Sequence, residues 1–319
     1  MRSYFRHAFC SLVATVFALT PLIGSQPVLA QALTVVNVGA IPTDYSGNVY
    51  YALDLGYFKN AGLDVQIQPL ANGAMAAAAL ASGTIDVAQA IVSATAAAHL
   101  HGIDIKLFAP ASNTAPGSTA SAVMVPTDST VKTAADLNGK TIGILGFKSI
   151  QQVIMMAWVD KHGGDSKTLK FVEIPFPQMG TALAAHRVDA VLIGEPFLTS
   201  AKSAGRVIAN PEEGIAPRFL AVAWASTGAW LQAHPDIAVR FATAVRQAGL
   251  WANAHPSESA DILAKYGKLD PAIAHTMGRV IYSNSVDPAL IQPELDASAH
   301  YGGLDRTFPA AEIVWTPPK

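Results

Sequence analysis

Residues 72–91, NGAMAAAALASGTIDVAQAI, have a counterpart in residues 177–197, PQMGTALAAHRVDAVLIGEPF. Leu80 matches Leu183 and Asp86 matches Asp189, each pair 103 positions apart. Each segment has an alanine-rich helical part that ends at a turn and is followed by a short apolar strand. The strand and helix before each segment also correspond, which favours duplication of one unit over convergence on a common helix–turn–strand pattern.

The elements around these segments alternate between strand and helix. In the first half, residues 33–41 and 63–70 have strand patterns, and residues 49–62 are predicted as one helix closed by Gly62. Short apolar strands alternating with longer helices predict an α/β fold with parallel sheets covered on both faces. The second half starts the same order again with TIGILGF at residue 141.

The chain path predicts two lobes with a ligand cleft between them. We expect residues 31–122 to begin lobe one, residues 123–220 to form lobe two, and residues 221–319 to return to lobe one and add C-terminal helices. The chain then crosses between the lobes twice, near TASAVMVP and FLAVAWAS, and these two strands are predicted to form a hinge. A mature chain of this length has room for two cores of ordinary domain size.

The amino terminus has the parts of a secretory signal peptide. Arg2 and Arg6 precede an apolar run, and small residues then lead to a predicted cut after Ala30 or Ala32. Residues 1–30 are therefore predicted to be removed, and no later stretch is long and apolar enough for a membrane span. We expect a protein exported to the periplasm.

The composition argues against several classes of function. The mature chain carries 19 basic and 23 acidic residues, a net charge of −4, with no run of like charges that would favour nucleic acid. Cys10 is the only cysteine and lies in the signal peptide, so thiol chemistry, disulfides and a lipid anchor are not expected. No phosphate-binding loop, Ser-His-Asp order or metal signature is present, and we expect no cofactor and no metal.

Ligands of open α/β sheets bind beyond the carboxyl ends of the strands, where helix N-termini also point. Six such ends are predicted, at residues 42–48, 71–73, 90–94, 146–151, 175–178 and 193–197. If the lobes face each other, all six converge on one cleft. The candidate ligand contacts are Thr43, Asp44, Tyr45, Asn48, Gly73, Ser93, Lys148, Ser149, Gln151, Phe176, Glu195 and Phe197.

The stretch GFKSIQ, residues 146–151, restarts as a helix after a buried strand. A helix N-terminus carries unpaired N–H groups and a partial positive charge, so it holds either its own cap or an anion. The alternative for Ser149 is a simple N-cap, and the alternative for Lys148 is a solvated surface charge. Tyr45 and Phe176 are candidates for stacking on a planar or apolar ligand.

Several stretches, in order, resemble one group of binding proteins. They are YYALDLGYFKNAGLDVQI, LASGTIDVA, TAADLNGKTIGI, ALAAHRVDAVLIGEPF and YGGLDRTFPAAEIV. The chain resembles the periplasmic solute-binding proteins that include the nitrate-, sulfonate- and taurine-binding proteins and the thiamine-precursor (NMT1/THI5-like) proteins. The resemblance implies a type II-like periplasmic-binding-protein fold that closes on a small molecule. The implied partners are an inner-membrane ABC permease and its ATPase, and we expect a monomer.

Glu195 lies at a strand end that the resemblance places against the ligand. In the sulfonate-type proteins an aromatic residue often precedes the proline of this turn, whereas here a carboxylate precedes Pro196 and Phe197 follows it. A carboxylate in a cleft needs a donor, such as an amine or a ring N–H. The ligand is therefore expected to be a sulfonate- or carboxylate-like anion or a nitrogen heteroaromatic. The alternative for Glu195 is a pair with a basic side chain across the hinge.

A binding protein without catalysis is the main hypothesis. The rival is an enzyme, because the yeast pyrimidine synthases share this fold, but those depend on a cysteine-rich motif that the mature chain lacks. A sensor that presents its ligand to a membrane receptor is a third possibility. His99 and His101 are interpreted as structural rather than as metal ligands, and Asp86 and Asp189 as structural rather than as an acid–base pair.

Overall fold

The structure is a computed structural model that describes residues 32–70 and 73–318, so the predicted signal peptide lies outside the described residues. The strands are β1 (Thr34–Ala40), β2 (Leu63–Pro69), β3 (Val87–Ile91), β4 (Ile105–Thr114), β5 (Ser121–Pro126), β6 (Thr141–Ile144), β7 (Lys170–Glu173), β8 (Ala190–Gly194), β9 (Gly205–Ala209), β10 (Phe219–Thr227) and β11 (Ile281–Tyr282). The α-helices are α1 (Gly47–Asp54), α2 (Tyr57–Asn60), α3 (Gly73–Ala81), α4 (Val92–Leu100), α5 (Ile150–Lys161), α6 (Phe176–Ala184), α7 (Phe197–Ser200), α8 (Gly228–Ala233), α9 (Pro235–Ala254), α10 (Pro256–Gly267), α11 (Pro271–Thr276) and α12 (Pro288–His300).

The first sheet has the strand order β2, β1, β3, β10, β4, β11. Strand β1 runs parallel to β2 and β3, whereas β10 runs antiparallel to β3 and β4. Helices pack on both faces of this sheet, and the fully buried Val36 and Val38, two residues apart in β1, lie on the same face. We call this sheet and its covering helices lobe one.

The second sheet repeats this plan with the order β7, β6, β8, β5, β9. Strand β6 is parallel to β7 and β8, and β5 is antiparallel to β8 and β9, as β10 is to its neighbours in the first sheet. The second sheet and its helices form lobe two. The two sheets therefore share strand order and strand directions over five strands, as duplication predicts.

The two matched aspartates hold equivalent places in the sheets. A carboxylate oxygen of Asp86 accepts a hydrogen bond from the N–H of Asn37 at 2.8 Å, and one of Asp189 accepts from the N–H of Thr141 at 2.8 Å. Each aspartate N–H also donates to the carbonyl of the same residue, Asn37 or Thr141. Both side chains tie the start of β3 or β8 to its neighbouring central strand, which agrees with the predicted structural role.

The C-terminal helices pack on lobe one. Helix α9 packs on α1 and β4, α10 packs on α1, and α12 packs on β10 and α4. Phe241 of α9 is fully buried and stacks on Phe58 with ring centroids 5.2 Å apart, and its ring edge meets Trp224. Phe241, Ala244 and Ala248 are buried at helical spacing and form the face of α9 that covers the first sheet.

One sequence prediction differs from the structure. The helix predicted over residues 49–62 is two helices, because Gly56 adopts a left-handed conformation with φ of 74° between α1 and α2. The crossings predicted near TASAVMVP and FLAVAWAS adjoin the sheet changes, with β5 in the second sheet and β10 in the first. The chain changes sheet in the irregular segments 115–120 and 210–218, while the exact lobe boundaries stay a prediction.

In the described part of the chain, no helix combines the length and apolar character that crossing a membrane requires.

Candidate functional site

The residues between β1 and α1 belong to a buried polar network of lobe one. Asp44 is 1% exposed, and its carboxylate accepts hydrogen bonds from Arg279 at 2.9 and 3.0 Å. The same carboxylate accepts from the hydroxyls of Tyr51 and Tyr282 and from the N–H of Val280. Every acceptor direction of Asp44 is therefore used by the protein, which gives this candidate a structural role.

This network shifts the titration of its members. Burial raises the pKa of Tyr51 and Tyr282, and the neighbouring Asp44 carboxylate raises both further. Burial alone would lower the pKa of Arg279, but the facing Asp44 carboxylate raises it above its ordinary value. Arg279 therefore stays charged and the tyrosines stay neutral at any physiological pH.

Tyr45 reaches from lobe one to the first residue of β5 in lobe two. Burial raises the pKa of Tyr45, the nearby Glu212 raises it further, and a hydrogen bond with Ser121 opposes this. The Ser121 hydroxyl donates to the Glu212 carboxylate, whose pKa burial also raises. Tyr45, Ser121 and Glu212 thus join lobe one to both segments where the chain changes sheet.

Glu195, at the end of β8, is 3% exposed and fully engaged by the protein. One oxygen accepts from the Thr199 N–H at 2.9 Å, and the other accepts from the Thr199 hydroxyl at 2.8 Å and from the Gly278 N–H at 2.9 Å. The carboxylate therefore caps α7 and binds lobe one through Gly278. The sequence predicted a ligand donor or a basic side chain as its partner, and the structure shows backbone and hydroxyl donors instead.

A carboxyl group also occupies the N-terminus of α4. The Ser93 N–H donates to Glu294 of α12 at 2.8 Å, and Glu294 is 0% exposed. Burial raises the pKa of Glu294 to about 8, and its hydrogen bonds with Ser93 oppose this shift. Ser93, a sequence candidate, is 8% exposed and has its N–H taken by an internal group.

The N-terminus of α5 is different. Lys148 is exposed and has the left-handed φ of 56°, and its N–H donates to the Gln152 side chain at 2.7 Å. Ser149 is the N-cap, but its hydroxyl accepts from the Gln152 N–H at only 3.5 Å. Among the described residues, the N–H groups of Ser149, Ile150 and Gln151 have no hydrogen-bond partner. Backbone donors therefore remain open at this helix end.

Side chains around the start of α5 shape the surrounding loop. Gln151 accepts from the Leu145 N–H at 2.7 Å and donates to the Leu192 carbonyl at 3.3 Å, which fixes the loop to β8. Leu145 and Phe147 are 46% and 57% exposed, although both are large apolar side chains. A helix N-terminus with open backbone donors therefore lies next to exposed apolar surface.

The two phenylalanine candidates contact each other. Phe176 and Phe197 stack with ring centroids 5.8 Å apart and an interplanar angle of 28°. They line an open groove of about 310 Å³ between α6 and α7, together with small residues such as Gly180 and Ala201. Each ring thus has a protein partner on one face, and stacking on a ligand stays a prediction.

The remaining candidates lie in lobe one. Asn48 is 1% exposed and bonds Pro110, Val245 and Trp224, so it joins α1 to the sheet and to α9. Thr43 is half-buried and accepts from Ser46 with its carbonyl. Gly73 lines a small apolar cavity of about 30 Å³ between α3, α4 and β3.

The comparison with protein families gives the class of the chain. The sequence profile of the family described as NMT1/THI5 like matches residues 43–259, more than half of the chain. The chain belongs to the NMT1/THI5-like family. The formylaminopyrimidine-binding protein of Halalkalibacterium halodurans is a relative of this chain. The two are 26% identical over 220 residues, which cover 67% of this chain and 64% of the relative.

Solved structures give the fold. The periplasmic aliphatic sulphonate-binding protein SsuA of Escherichia coli superposes with a TM-score of 0.74 at 15% identity, covering 89% of this chain and 93% of that chain. The periplasmic nitrate-binding protein NrtA of Synechocystis PCC 6803 superposes with a TM-score of 0.68 at 16% identity, covering 90% and 92%. This NMT1/THI5-like chain therefore has the two-lobed periplasmic binding protein fold.

Sequence reasoning missed several residues that organise the site in this family member. Arg279, Gly278 and Glu294 come from the C-terminal part of the chain and meet their partners only through the fold. One signal for Glu294 was available: it falls between Ile291 and Leu295 on the apolar stripe of a helix, where an acid is out of place.

Proposed function

We propose that this protein is the periplasmic solute-binding component of an ABC importer and that its solute is a small organic anion of the sulfonate or carboxylate type. The fold and the family support the class, because relatives and structural neighbours are named as binding proteins for a formylaminopyrimidine, an aliphatic sulphonate and nitrate. The fold alone does not fix a ligand. The choice of an anion depends on the site itself.

The start of α5 is the observation that carries this choice. Its first turn has three N–H groups without a hydrogen-bond acceptor among the described residues, and the exposed Lys148 lies next to them. By contrast, protein carboxyl groups already occupy the ends of α4 and α7, through Glu294 and Glu195. An anionic headgroup bound at the start of α5 therefore accepts hydrogen bonds from the open N–H groups and is stabilised by the helix dipole.

The surface beside α5 suits an apolar body on the same molecule. Leu145 and Phe147 are exposed in the loop that leads into the helix. A solute with an alkyl or aryl part covers these side chains and removes their surface from water, which stabilises the complex by about 25 cal/mol per Å² of apolar area. An alkyl or aryl sulfonate or carboxylate has both parts.

Several further features belong to this proposal. The lobes divide near residues 122/123 and 220/221, the solute binds between them, and the loaded protein delivers it to an inner-membrane permease with its ATPase. The protein acts as a monomer in the periplasm after removal of residues 1–30, and it catalyses no reaction. The contacts proposed for the solute are Lys148, Ser149 and Gln151, with Tyr45 and the pair Phe176 and Phe197 on the rim.

A nitrogen heteroaromatic is the second candidate solute. Tyr45, Ser121 and Glu212 form a group of polar atoms between the lobes that can accept hydrogen bonds from ring N–H or amino groups. The name of the relative from Halalkalibacterium halodurans points to a compound of this kind. This candidate predicts that affinity depends on Glu212 rather than on Lys148.

Calorimetric titration of the mature chain tests the proposal. Hexanesulfonate, benzenesulfonate, hexanoate and 4-amino-2-methylpyrimidine are titrated into wild type, Lys148→Ala and Glu212→Gln. We expect the sulfonates to bind and Lys148→Ala to weaken them about tenfold, the effect of losing about 1.4 kcal/mol of charge-assisted bonding.

The matched control is Lys170→Ala, because Lys170 is an exposed lysine at the opposite end of the parallel strands of the same sheet. Equal loss in both lysine variants would mean a general effect of net charge. If only the pyrimidine binds, and Glu212→Gln abolishes that binding, the heteroaromatic candidate replaces the anion as the proposed solute. No binding of any of the four compounds would contradict the solute class.

A further inference from the structure

Glu294 is a buried carboxyl group that the proposed binding of solute does not use. It is 0% exposed and accepts from the Ser93 N–H at the start of α4, 2.8 Å away. Its second oxygen, Oε2, is buried without a partner in the described part of the chain. A buried carboxylate with a free oxygen costs several kcal/mol unless a donor or a proton neutralises it.

A second orphan lies one helical turn away. The hydroxyl of Ser298 is also buried, and it too lacks a hydrogen-bond partner among the described residues. Residues four apart lie on the same face of a helix, so Ser298 follows Glu294 along the face of α12. Among the described residues these two atoms form no hydrogen bond with each other, so Oε2 lacks a donor, and a proton on Oε2 removes the buried charge of Glu294.

Surrounding charges do not supply an alternative partner. Strand β10 contributes no ionisable side chain to this face, and the charged groups of the other packed elements have partners or lie elsewhere on the surface. These groups are His99 of α4, Glu312 of the 3-10 turn at 310–313, Asp160, Lys161 and His162 in and after α5, and Asp296 and His300 of α12 itself. Burial is the main cause of the raised Glu294 pKa of about 8, and no neighbouring charge contributes to it.

Helix α12 joins this pair to the proposed solute site. The Ser298 carbonyl accepts from the N–H groups of Gly303 and Leu304 at 2.7 and 3.0 Å, which fixes the turn after the helix. A Cβ built on Gly303 would lie 2.9 Å from Val153 Cγ2 and 3.5 Å from the Lys148 carbonyl oxygen. The end of α12 therefore packs directly on the start of α5.

We propose that Glu294 is a positioning residue that works as a neutral carboxylic acid, bonded to the Ser93 N–H, and that loss of its proton weakens retention of the solute. The ionised form places a buried negative charge behind α12. Water then enters, or side chains rearrange, between α4 and α12. The contact between Gly303 and α5 loosens as a result. The consequence for affinity rests on the function proposed above, whereas the proton on Glu294 does not.

The test measures the proton directly and then its effect. Infrared spectra of wild type at about pH 7, minus those of Glu294→Gln, should show the carbonyl band of one protonated carboxylic acid. This band should disappear from wild type by about pH 9.5, since the acid is ionised well above its pKa. If the difference spectrum at about pH 7 lacks this band, the proposal is overturned, and this measurement needs no ligand.

The effect is measured with hexanesulfonate, which keeps its charge at every pH used. The affinity of wild type for hexanesulfonate should fall about tenfold between about pH 6.5 and about pH 9.5. This is the change expected if binding of the solute raises the pKa of Glu294 by about one unit. Glu294→Gln should remove this slope, and the control Asp296→Asn on the exposed side of α12 should keep it.

The outcomes separate the two proposals. A wild-type slope that persists in Glu294→Gln, or no slope in wild type, overturns the role of Glu294 in retention. If hexanesulfonate fails to bind at any pH while the carboxylic acid band is present, the proposed solute is wrong and the neutral state of Glu294 stands.

Discussion

Three acidic residues show how side-chain roles depend on partners far away in sequence. Asp44 and Glu195 precede a helix in the sequence, where a ligand contact is predicted as readily as a cap, whereas Glu294 lies in the middle of α12 and contacts the start of α4. The structure gives each of them donors from the protein, such as Arg279 for Asp44 and Gly278 for Glu195. Local sequence identified the positions of Asp44 and Glu195, but it could not identify their partners Arg279 and Gly278, which are more than eighty residues away.

Glu195→Gln should lower stability without changing the class of solute. All three groups that bond Glu195 are donors, so the amide of glutamine must turn an N–H toward another N–H or the Thr199 hydroxyl. We expect a loss of about 1–3 kcal/mol in the free energy of unfolding, measured by urea denaturation. Thr199→Ser, which keeps the hydroxyl, is the control.

Calorimetry on Glu195→Gln should find equal changes for a sulfonate and an aminopyrimidine. A loss confined to the aminopyrimidine would mean that Glu195 contacts the solute in addition to capping α7.

Asp44→Asn should be among the more damaging single substitutions in lobe one. It removes the buried charge that faces the half-buried Arg279 and turns an amide toward donors, and breaking a buried pair costs about 3–5 kcal/mol. The comparison is Asp236→Asn, whose pair with Arg240 is exposed and should contribute no more than about 1 kcal/mol. Urea midpoints of the two variants check this, and equal shifts would contradict it.

At the scale of elements, sequence periodicity predicted most strands and helices because each is buried on a regular face. It identified the repeated unit correctly, since the same pattern returned with Asp86 and Asp189 in matching places. It failed at Gly56, where one residue with positive φ separates two helices of continuous apolar pattern. It placed the two crossings next to residues 115–120 and 210–218, where the chain changes sheet.

Asp86→Ala and Asp189→Ala should have similar effects in the two lobes. Each substitution leaves the N–H of a central strand, at Asn37 or Thr141, without its carboxylate acceptor. We expect each to lower the free energy of unfolding by about 1–3 kcal/mol and the double variant to show the sum, because the sites lie in different sheets. Denaturation with urea checks both points, and strong non-additivity would contradict the independence of the two units.

Glu294 gives helix α12 a stability that depends on pH. Its pKa of about 8 lies above the ordinary value of 4.5, so between these values the folded protein holds a proton that the unfolded chain has lost. Stability from this group is therefore complete below about pH 4.5 and falls as the pH rises through about 8, by at most about 1.4 kcal/mol per pH unit. Urea midpoints of wild type should fall more steeply over this range than those of Glu294→Gln. Parallel profiles would contradict the raised pKa.

For the whole molecule, contacts near the two crossing segments set how the lobes meet. Tyr45 joins lobe one to Ser121, and Gly278 joins lobe one to Glu195, close to the segment 115–120. We expect these contacts to favour the closed arrangement of the lobes, so that the measured affinity includes the fraction of molecules already closed.

Gly278→Ala should open the lobes and weaken solute binding without touching the start of α5. A Cβ on Gly278 would collide with the carbonyl oxygen of Thr119, so the side chain acts as a wedge against the first crossing segment. Small-angle scattering should show a larger radius of gyration for this variant than for wild type without solute, and saturating hexanesulfonate should bring the two values together. The affinity for hexanesulfonate should fall in proportion to the smaller closed fraction.

Gly267→Ala, whose Cβ would meet only the Leu269 side chain, should change neither the radius of gyration nor the affinity. A radius that is equal in wild type and Gly278→Ala, with affinity nevertheless reduced, would place the effect of Gly278 in the binding surface rather than in closure.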